Sequence, residues 1–158
     1  IRCCREEASG YEGRVEYEEV IIDAGCMRIV QRPEDFDMLL CENLYGDVMS
    51  DLCAGLVGGL GVTPGANFGG DHCAVFEAVH GTAPDIAGQQ RANPTALLLS
   101  ALLMLRYLDE DETAARIFKA LEKVLEDGRI RTPDLGGTSS TTEFTDAVSR
   151  QMELTASQ

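Results

Sequence analysis

The sequence predicts an α/β fold, and two observations carry that prediction. Short apolar segments that read as buried strands alternate along the 158 residues with longer segments whose apolar residues recur at helical spacing. Glycine and proline mark the borders between these segments, most densely in residues 58–70. Strands and helices that alternate along a chain are typical of α/β proteins.

The elements of the first half follow from local signals. Apolar residues that alternate or run together predict strands, whereas an apolar stripe at helical spacing predicts a helix. The second predicted helix has Cys26, Met27 and Val30 on its inner face and ends before Pro33. In order, we expect the C-terminal part of a helix at residues 2–8, a strand at 15–22, a helix at 24–31, a buried strand at 36–41 and a helix at 46–57.

The second half begins with residues 58–70, whose glycines make this stretch the expected hinge or domain border. Asn93-Pro94 is a helix-start signal, and Gly128 is a helix-stop signal. In order, we expect a strand at residues 73–79, a polar loop at 80–92, a nearly all-apolar central helix at 97–108, an amphipathic helix at 111–126, an extended segment at 129–138 and a final helix at 142–154.

Acidic residues dominate the charge of the chain: 27 Asp and Glu against 13 Lys and Arg give a formal net charge of −14. We therefore expect no binding to nucleic acid or membranes, since the charge repels both and no apolar run reaches the roughly 20 residues of a membrane helix. The six cysteines form no C-x-x-C pair, which predicts reduced core thiols of an intracellular protein. The chain does not begin with methionine, so we expect an N-terminal part, with any targeting signal, to precede it.

Asp47 and Asp51 stand four residues apart in a predicted helix. That spacing places both carboxylates on one face, where like charges repel by roughly 0.2–0.5 kcal/mol unless a cation lies between them. One interpretation is structural, with Asp47 as the N-cap of the helix and Asp51 solvated. The other adds Asp23, at a strand-to-helix junction, to a carboxylate set suited to Mg²⁺ or Mn²⁺. Asp23 alone also reads as an N-cap.

Residues 80–93 form a second candidate site. Their glycines and small side chains let the backbone approach a ligand closely, while Thr82, Asp85 and Asn93 offer hydrogen bonds. His80 by itself is more typical of a structural hydrogen bonder, and Asn93 of an N-cap. A Rossmann dinucleotide site is not supported, because no G-x-G-x-x-G stands between a predicted strand and a predicted helix.

Taken in order, four motifs resemble the C-terminal half of the β-decarboxylating dehydrogenases, the family of isocitrate and isopropylmalate dehydrogenases. The resemblance extends from about residue 22 to about residue 137, and it implies that family's own α/β fold, which is not a Rossmann fold. The motifs are Asn43-Leu44-Tyr45-Gly46-Asp47 with Ser50-Asp51, Gly58-Gly59-Leu60-Gly61, His80-Gly81-Thr82-Ala83-Pro84-Asp85-Ile86-Ala87-Gly88, and Asn93-Pro94-Thr95.

The resemblance implies roles for the candidate residues. Asp23 matches a metal-binding aspartate that is contributed across a dimer interface, and Asp47 and Asp51 match two metal ligands of the other protomer. NADP-dependent relatives have Lys-Tyr where this chain has Asp85-Ile86, so NAD is the implied cofactor. The residues implied to hold its adenosine end are His80, Gly81, Thr82, Ala83, Pro84, Asp85, Ile86 and Asn93.

The implied activity is metal-dependent oxidative decarboxylation of isocitrate to 2-oxoglutarate with reduction of NAD. By the family pattern the catalytic tyrosine and lysine lie upstream of residue 1, so the chain alone is not expected to turn over. The alternatives are an isopropylmalate or homoisocitrate dehydrogenase, a non-enzymatic metal-binding domain and a non-catalytic regulatory subunit. Gly46-Asp47 and the motif that begins at His80 favour a catalytic-type subunit.

The resemblance also implies a domain order and partners. Residues 1–58 would belong to a small domain with the interface helix and the metal-binding aspartates, and residues 59–158 to a large domain with the NAD-binding loop. The expected partners are isocitrate and a second protomer, in a homodimer or in a hetero-oligomer of related subunits. The expected location is the mitochondrial matrix in a eukaryote or the cytoplasm in a prokaryote.

Overall fold

A computed structural model describes residues 1–156 and the side chains of residues 1–154. Two units divide the chain, Ile1–Cys53 and Ala54–Gln158. Their correspondence to the predicted small and large domains stays a prediction.

The structure contains six α-helices and two strands among the described residues. In chain order they are α1 (Arg2–Ala8), α2 (Ile22–Gln31), α3 (Asn43–Val57), β1 (Pro64–Phe68), β2 (Ala74–Ala78), α4 (Thr95–Tyr107), α5 (Asp111–Asp127) and α6 (Thr141–Ala156). Short 3₁₀ helices lie at Ser9–Tyr11, Pro33–Asp35, Leu60–Val62 and Pro133–Leu135.

In the first unit, α2 buries a different face from the predicted one. Gly25 and Ile29 are its buried residues, whereas Met27 and Val30 are 55% and 53% exposed, so their predicted inward position is wrong. The thiol of Cys26 lies 3.4 Å from the sulfur of Met49 in α3. The inner face is therefore centred on Gly25, which has no side chain and so lets Val20 of the preceding segment lie close to the helix.

Two strands predicted for the first unit are wrong. Residues 15–21 form no regular element, Ile22 already belongs to α2, and residues 36–41 are not a strand. Met38 and Leu40 are 87% and 79% exposed, so this apolar segment is not buried among the described residues. A strand is stable only beside partner strands. The described residues of the first unit supply none.

The second unit contains an antiparallel hairpin in which β1 pairs with β2, with Pro64 opposite Ala78. The sequence predicted β2 but not β1, because the glycines around β1 favoured a hinge. The Ser100 hydroxyl of α4 donates to the Glu77 carbonyl at 2.7 Å and accepts from the Gly65 N–H at 3.2 Å. A Cβ on Gly65 would lie 2.9 Å from the Glu77 carbonyl oxygen, so glycine is needed for this close pairing.

The core of the second unit lies where α5 packs against α6, and α4 borders it. Burying a large apolar side chain stabilises a fold by about 1.5–3 kcal/mol. The buried residues are Ala120, Leu121, Val124, Phe144 and Val148, with Leu98, Leu99, Ile130, Ala147 and Met152 packed around them.

Local signals set the ends of α5 and α6. Gly128 ends α5 with φ of +65°, a left-handed conformation that glycine adopts without a steric penalty. At the start of α6, the Glu143 carboxylate accepts from the Ser140 N–H at 2.7 Å, and the Glu143 N–H donates to the Ser140 hydroxyl at 3.2 Å. This reciprocal pair is a capping box, which satisfies two N–H groups that the helix leaves free.

The six cysteines are free, but their predicted place in the core is wrong. Cys3 and Cys73 are exposed, and the other four are half-buried. Cys3 lies on α1, which buries no residue, and Cys73 follows the exposed hairpin turn. Within residues 1–156, no helix combines the length and apolar character needed to cross a membrane.

Candidate functional site

The loop between β2 and α4 contains the predicted dinucleotide-binding residues. His80 to Asp85 are exposed and Ile86 is half-buried. Each hydrogen bond that the structure shows for residues 80–89 joins two residues of that same stretch, including Gln89 Nε2 to the Asp85 carbonyl at 2.7 Å. This part of the loop is therefore closed on itself, and the Asp85 carboxylate carries no partner among the described residues.

A tight turn centred on Pro84 places Asp85. The Ile86 N–H donates to the Ala83 carbonyl at 3.1 Å, and proline at the second turn position is pre-set for this geometry. Ala83 has φ of +41°, which is strained for a residue with a side chain and unusual before proline. Strain of this kind costs about 1–3 kcal/mol and is concentrated at functional sites.

Asn93 is 6% exposed, and its side chain contacts the first residue of α4. Its Oδ1 accepts from the Thr95 N–H at 3.0 Å, while its Nδ2 donates to the Asp134 carboxylate at 2.9 Å. The N-cap of α4 is Pro94, so the interpretation of Asn93 as the N-cap is wrong, although its side chain accepts from the first N–H of the helix. One amide hydrogen remains for another acceptor, so these two hydrogen bonds do not by themselves remove Asn93 from the predicted cofactor site.

The first turn of α6 holds the end of the loop. Thr141 Oγ1 donates to the Ala92 carbonyl at 2.6 Å, and the Thr141 N–H donates to the Gln90 carbonyl at 2.8 Å. Thr142 Oγ1 donates to the Gln90 side-chain oxygen at 3.0 Å. Residues 90–93 are thus anchored to other elements, whereas residues 80–89 bond only locally.

Asp47 and Asp51 lie one turn apart on α3, and both are exposed. Because α3 begins at Asn43, Asp47 lies inside the helix and its interpretation as an N-cap is wrong. Neither carboxylate has a salt bridge or hydrogen-bond partner among the described residues. Two uncompensated carboxylates on one face form a hard-oxygen donor set, which fits Mg²⁺ or Mn²⁺.

Asp23 lies in the first turn of α2, whose N-cap is Ile21, so the N-cap interpretation of Asp23 is also wrong. Its carboxylate accepts from the N–H of the adjacent Ala24 at 2.6 Å. No three His, Cys, Asp or Glu side chains gather into a metal-binding group within the described part of the chain. The structure thus pairs Asp47 with Asp51, and the contribution of Asp23 across a dimer interface stays a prediction.

A cleft of about 650 Å³ lies elsewhere, between the end of α5 and α6. Two of its charges form the ion pair Arg129–Asp127 at 2.7 Å, and the hydrogen bond from Arg129 lowers the pKa of Asp127. Lys123 and Glu126 form another pair at 3.4 Å. None of the predicted site residues lines this cleft, and we assign no function to it.

Sequence reasoning missed two residues that contact the loop, Asp134 and Thr141. The Ser-x-x-Glu pattern of Ser140 and Glu143 is a sequence signal for the start of α6, and it would have placed Thr141 in the first turn. Asp134 has no such signal, because its contact with Asn93 spans 41 residues of sequence.

The chain is similar to known proteins over nearly its whole length. The family model described as isocitrate/isopropylmalate dehydrogenase matches residues 2–148. NAD isocitrate dehydrogenase catalytic subunit 5 of Arabidopsis thaliana is 57% identical over 94% of this chain and 39% of its own length. A regulatory subunit of NAD isocitrate dehydrogenase from Dictyostelium discoideum is 49% identical over 96% of this chain and 43% of its own length. Both relatives are named mitochondrial. The chain thus spans about two-fifths of these relatives.

The crystal structure of isocitrate dehydrogenase from Methylococcus capsulatus has a similar fold. It matches with a TM-score of 0.89 and 44% identity, covering 96% of this chain and 45% of that one. This match confirms the predicted fold class, although the described residues contain only one small sheet.

Proposed function

The chain belongs to the isocitrate/isopropylmalate dehydrogenase family, and from that premise we propose that it forms the metal-binding and NAD-binding part of an isocitrate dehydrogenase. The proposed reaction is the metal-dependent oxidative decarboxylation of isocitrate to 2-oxoglutarate with reduction of NAD. The observation that carries the proposal is the pair of exposed, unpartnered carboxylates of Asp47 and Asp51 on one face of α3.

Asp47 and Asp51 would hold Mg²⁺ or Mn²⁺, and Asp23 of a neighbouring protomer would add a third carboxylate. Two aspartates on one helix leave coordination positions open for oxygen atoms of a substrate. The bound ion supplies a Lewis acid that stabilises negative charge on a substrate oxygen while CO₂ leaves. The role of the aspartates would be to position the bound ion, since each aspartate lies on a regular helix.

The loop at residues 80–93 would hold the adenosine end of NAD. The Asp85 carboxylate is exposed and unpartnered, so it is available to accept a hydrogen bond from a ribose hydroxyl. The same negative charge would repel the 2′-phosphate of NADP. The turn at Pro84 fixes the main chain beside Asp85, and Gly81 leaves room for a close approach. These features support NAD over NADP.

The activity is proposed for the complete protein, because the chain spans only 39% and 43% of the two curated relatives. The catalytic tyrosine and lysine and the residues that hold the substrate carboxylates are proposed to belong to the complete protein outside this chain. The chain would therefore contribute the metal and cofactor groups without the acid and base of the reaction.

The second candidate function is regulatory, and one observation favours it: a relative at 49% identity is named as a regulatory component of the enzyme. The Asp47–Asp51 pair and the loop motif support a catalytic-type chain instead, because both would serve the proposed reaction. Isopropylmalate and homoisocitrate remain the alternative substrates. Related subunits are the proposed partners, and the proposed location is the mitochondrial matrix in a eukaryote, or the cytoplasm in a prokaryote.

The test is NADH formation by the complete protein, purified with any partner subunits. We expect isocitrate to be oxidised in the presence of Mg²⁺ or Mn²⁺ and not after chelation, with isopropylmalate and homoisocitrate poorer by roughly 100-fold in kcat/KM. Faster turnover of either alternative would overturn the assignment of the substrate. If Asp47→Asn in this chain leaves the rate of the assembled protein unchanged, the role of the chain is regulatory.

A further inference from the structure

Asp134 lies in the 3₁₀ helix Pro133–Leu135, and its carboxylate fixes the amide of Asn93. Asn93 Nδ2 donates to Asp134 Oδ2 at 2.9 Å. An ionised carboxylate only accepts hydrogen bonds, so it holds the nitrogen of the Asn93 amide towards itself. The amide oxygen is thereby turned to the Thr95 N–H, 3.0 Å away. The two bonds together determine a single orientation of a nearly buried side chain.

A second element packs behind the Asp134 carboxylate. A Cβ built on Gly61, in the 3₁₀ helix Leu60–Val62, would lie 2.8 Å from Asp134 Oδ2 and 3.4 Å from Asn93 Cβ. Any side chain at residue 61 would thus displace the carboxylate. The carboxylate thus accepts the hydrogen bond from Asn93 and occupies the space that the missing side chain of Gly61 leaves.

Resting on the proposed function, we propose that Asp134 is a positioning residue for NAD binding. By orienting Asn93, Asp134 fixes the main chain at residues 92–93, where the anchored end of the loop meets α4. Residues 80–89 bond only among themselves, so the placement of the loop depends on this anchored end. In this proposal Asp134 acts through Asn93, whose amide it orients.

The test is the equilibrium Kd for NAD of the complete protein, measured by calorimetry. Asp134→Ala should weaken NAD binding roughly tenfold, because it leaves the nearly buried Asn93 amide without its charged acceptor. Asp134→Asn should weaken NAD binding less, since its amide oxygen can still accept the hydrogen bond. Asp146→Asn is the matched control, because Asp146 is an exposed carboxylate of the second unit without a described partner, and it should leave Kd unchanged.

Gly61→Ala gives an independent test that retains the carboxylate. It should weaken NAD binding by displacing Asp134, and it should add no further loss to Asp134→Ala, where the obstructing carboxylate is gone. If Asp134 and Gly61 served only to stabilise the fold, these substitutions would lower the urea midpoint of unfolding and leave the Kd of the folded protein for NAD unchanged. Mn²⁺ affinity should stay the same in every variant.

The outcomes separate this inference from the proposed function. If the parent protein does not bind NAD, the proposed function and the inference are both overturned. If the parent binds NAD and Asp134→Ala binds it equally well, only the inference is overturned. Should Asp134→Ala fail to fold, Asp134→Asn and Gly61→Ala decide by the same criterion: unchanged Kd in both overturns the inference.

Discussion

The hydroxyl of Thr141 donates a hydrogen bond of 2.6 Å to the main-chain carbonyl of Ala92, and this contact joins the last helix to the loop that we assign to NAD. The Thr141 N–H adds a bond to the carbonyl of Gln90, whose φ of +56° is rare for a residue with a side chain. Tertiary contacts therefore hold this end of the loop in a conformation that its own sequence does not favour.

Thr141→Val should destabilise the protein by about 1 kcal/mol, because it removes the hydroxyl group that donates a hydrogen bond to the Ala92 carbonyl. Urea unfolding of the complete protein gives the free energy, and hydrogen exchange should quicken in residues 80–93. Thr142→Val is the matched control, since it removes only an exposed bond between two side chains. Equal destabilisation by both variants would contradict the special role of Thr141.

The capping box at α6 predicts a dependence of stability on pH. Hydrogen bonds from the Ser140 N–H and hydroxyl lower the pKa of Glu143 in the folded protein. The stabilisation from this carboxylate is therefore complete above the ordinary glutamate pKa of about 4.3 and is lost as the pH falls through the lower pKa of the folded state. The parent should exceed Glu143→Gln in unfolding free energy at pH 7, and the difference should shrink below about pH 4. A difference that is constant with pH would refute this.

Local signals predicted part of the fold correctly. α5 and its end at Gly128 were predicted because an apolar stripe and a left-handed glycine are local properties of sequence. The strands predicted at residues 15–22 and 36–41 failed because apolar runs of that length fit several structures, and partner strands decide among them. β1 was missed because its pairing with β2 and the contact with Ser100, not its own composition, make it a strand.

The candidate site shows the same limit. The i, i+4 spacing of Asp47 and Asp51 followed from sequence, and the structure places both on one exposed helix face. The position of Asn93 beside the start of α4 was also accessible, since Asn before Pro is a helix-start signal. Its second partner, Asp134, was not accessible, because only the tertiary fold brings these two residues together.

Gly81 should matter to the ligand and not to the fold. A Cβ at this position would meet no atom within 4 Å, and its φ is not in the left-handed region. Gly81→Ala should therefore change the unfolding free energy by less than about 0.5 kcal/mol while raising the Kd for NAD roughly tenfold, because the dinucleotide must pass close to the backbone. Gly70→Ala, at an equally open glycine, is the control. Unchanged NAD binding in Gly81→Ala would remove Gly81 from the site.

The charge of Asp85 should set the choice of cofactor. The parent should prefer NAD over NADP by roughly tenfold or more in kcat/KM, and Asp85→Lys with Ile86→Tyr should narrow that ratio by attracting the 2′-phosphate. Asp85→Asn keeps the shape and removes the charge, so it should shift the ratio by a smaller amount. A parent protein that prefers NADP would contradict this role of Asp85.

The metal-binding role of the α3 pair is the central claim, and Mn²⁺ titration of the complete protein tests it most directly. Asp47→Asn and Asp51→Asn should each weaken Mn²⁺ binding at least roughly tenfold, because each removes an anionic oxygen ligand. Asp37→Asn, which changes an exposed carboxylate of the same unit, should leave the affinity unchanged. An affinity that is unchanged in both α3 variants would contradict the account.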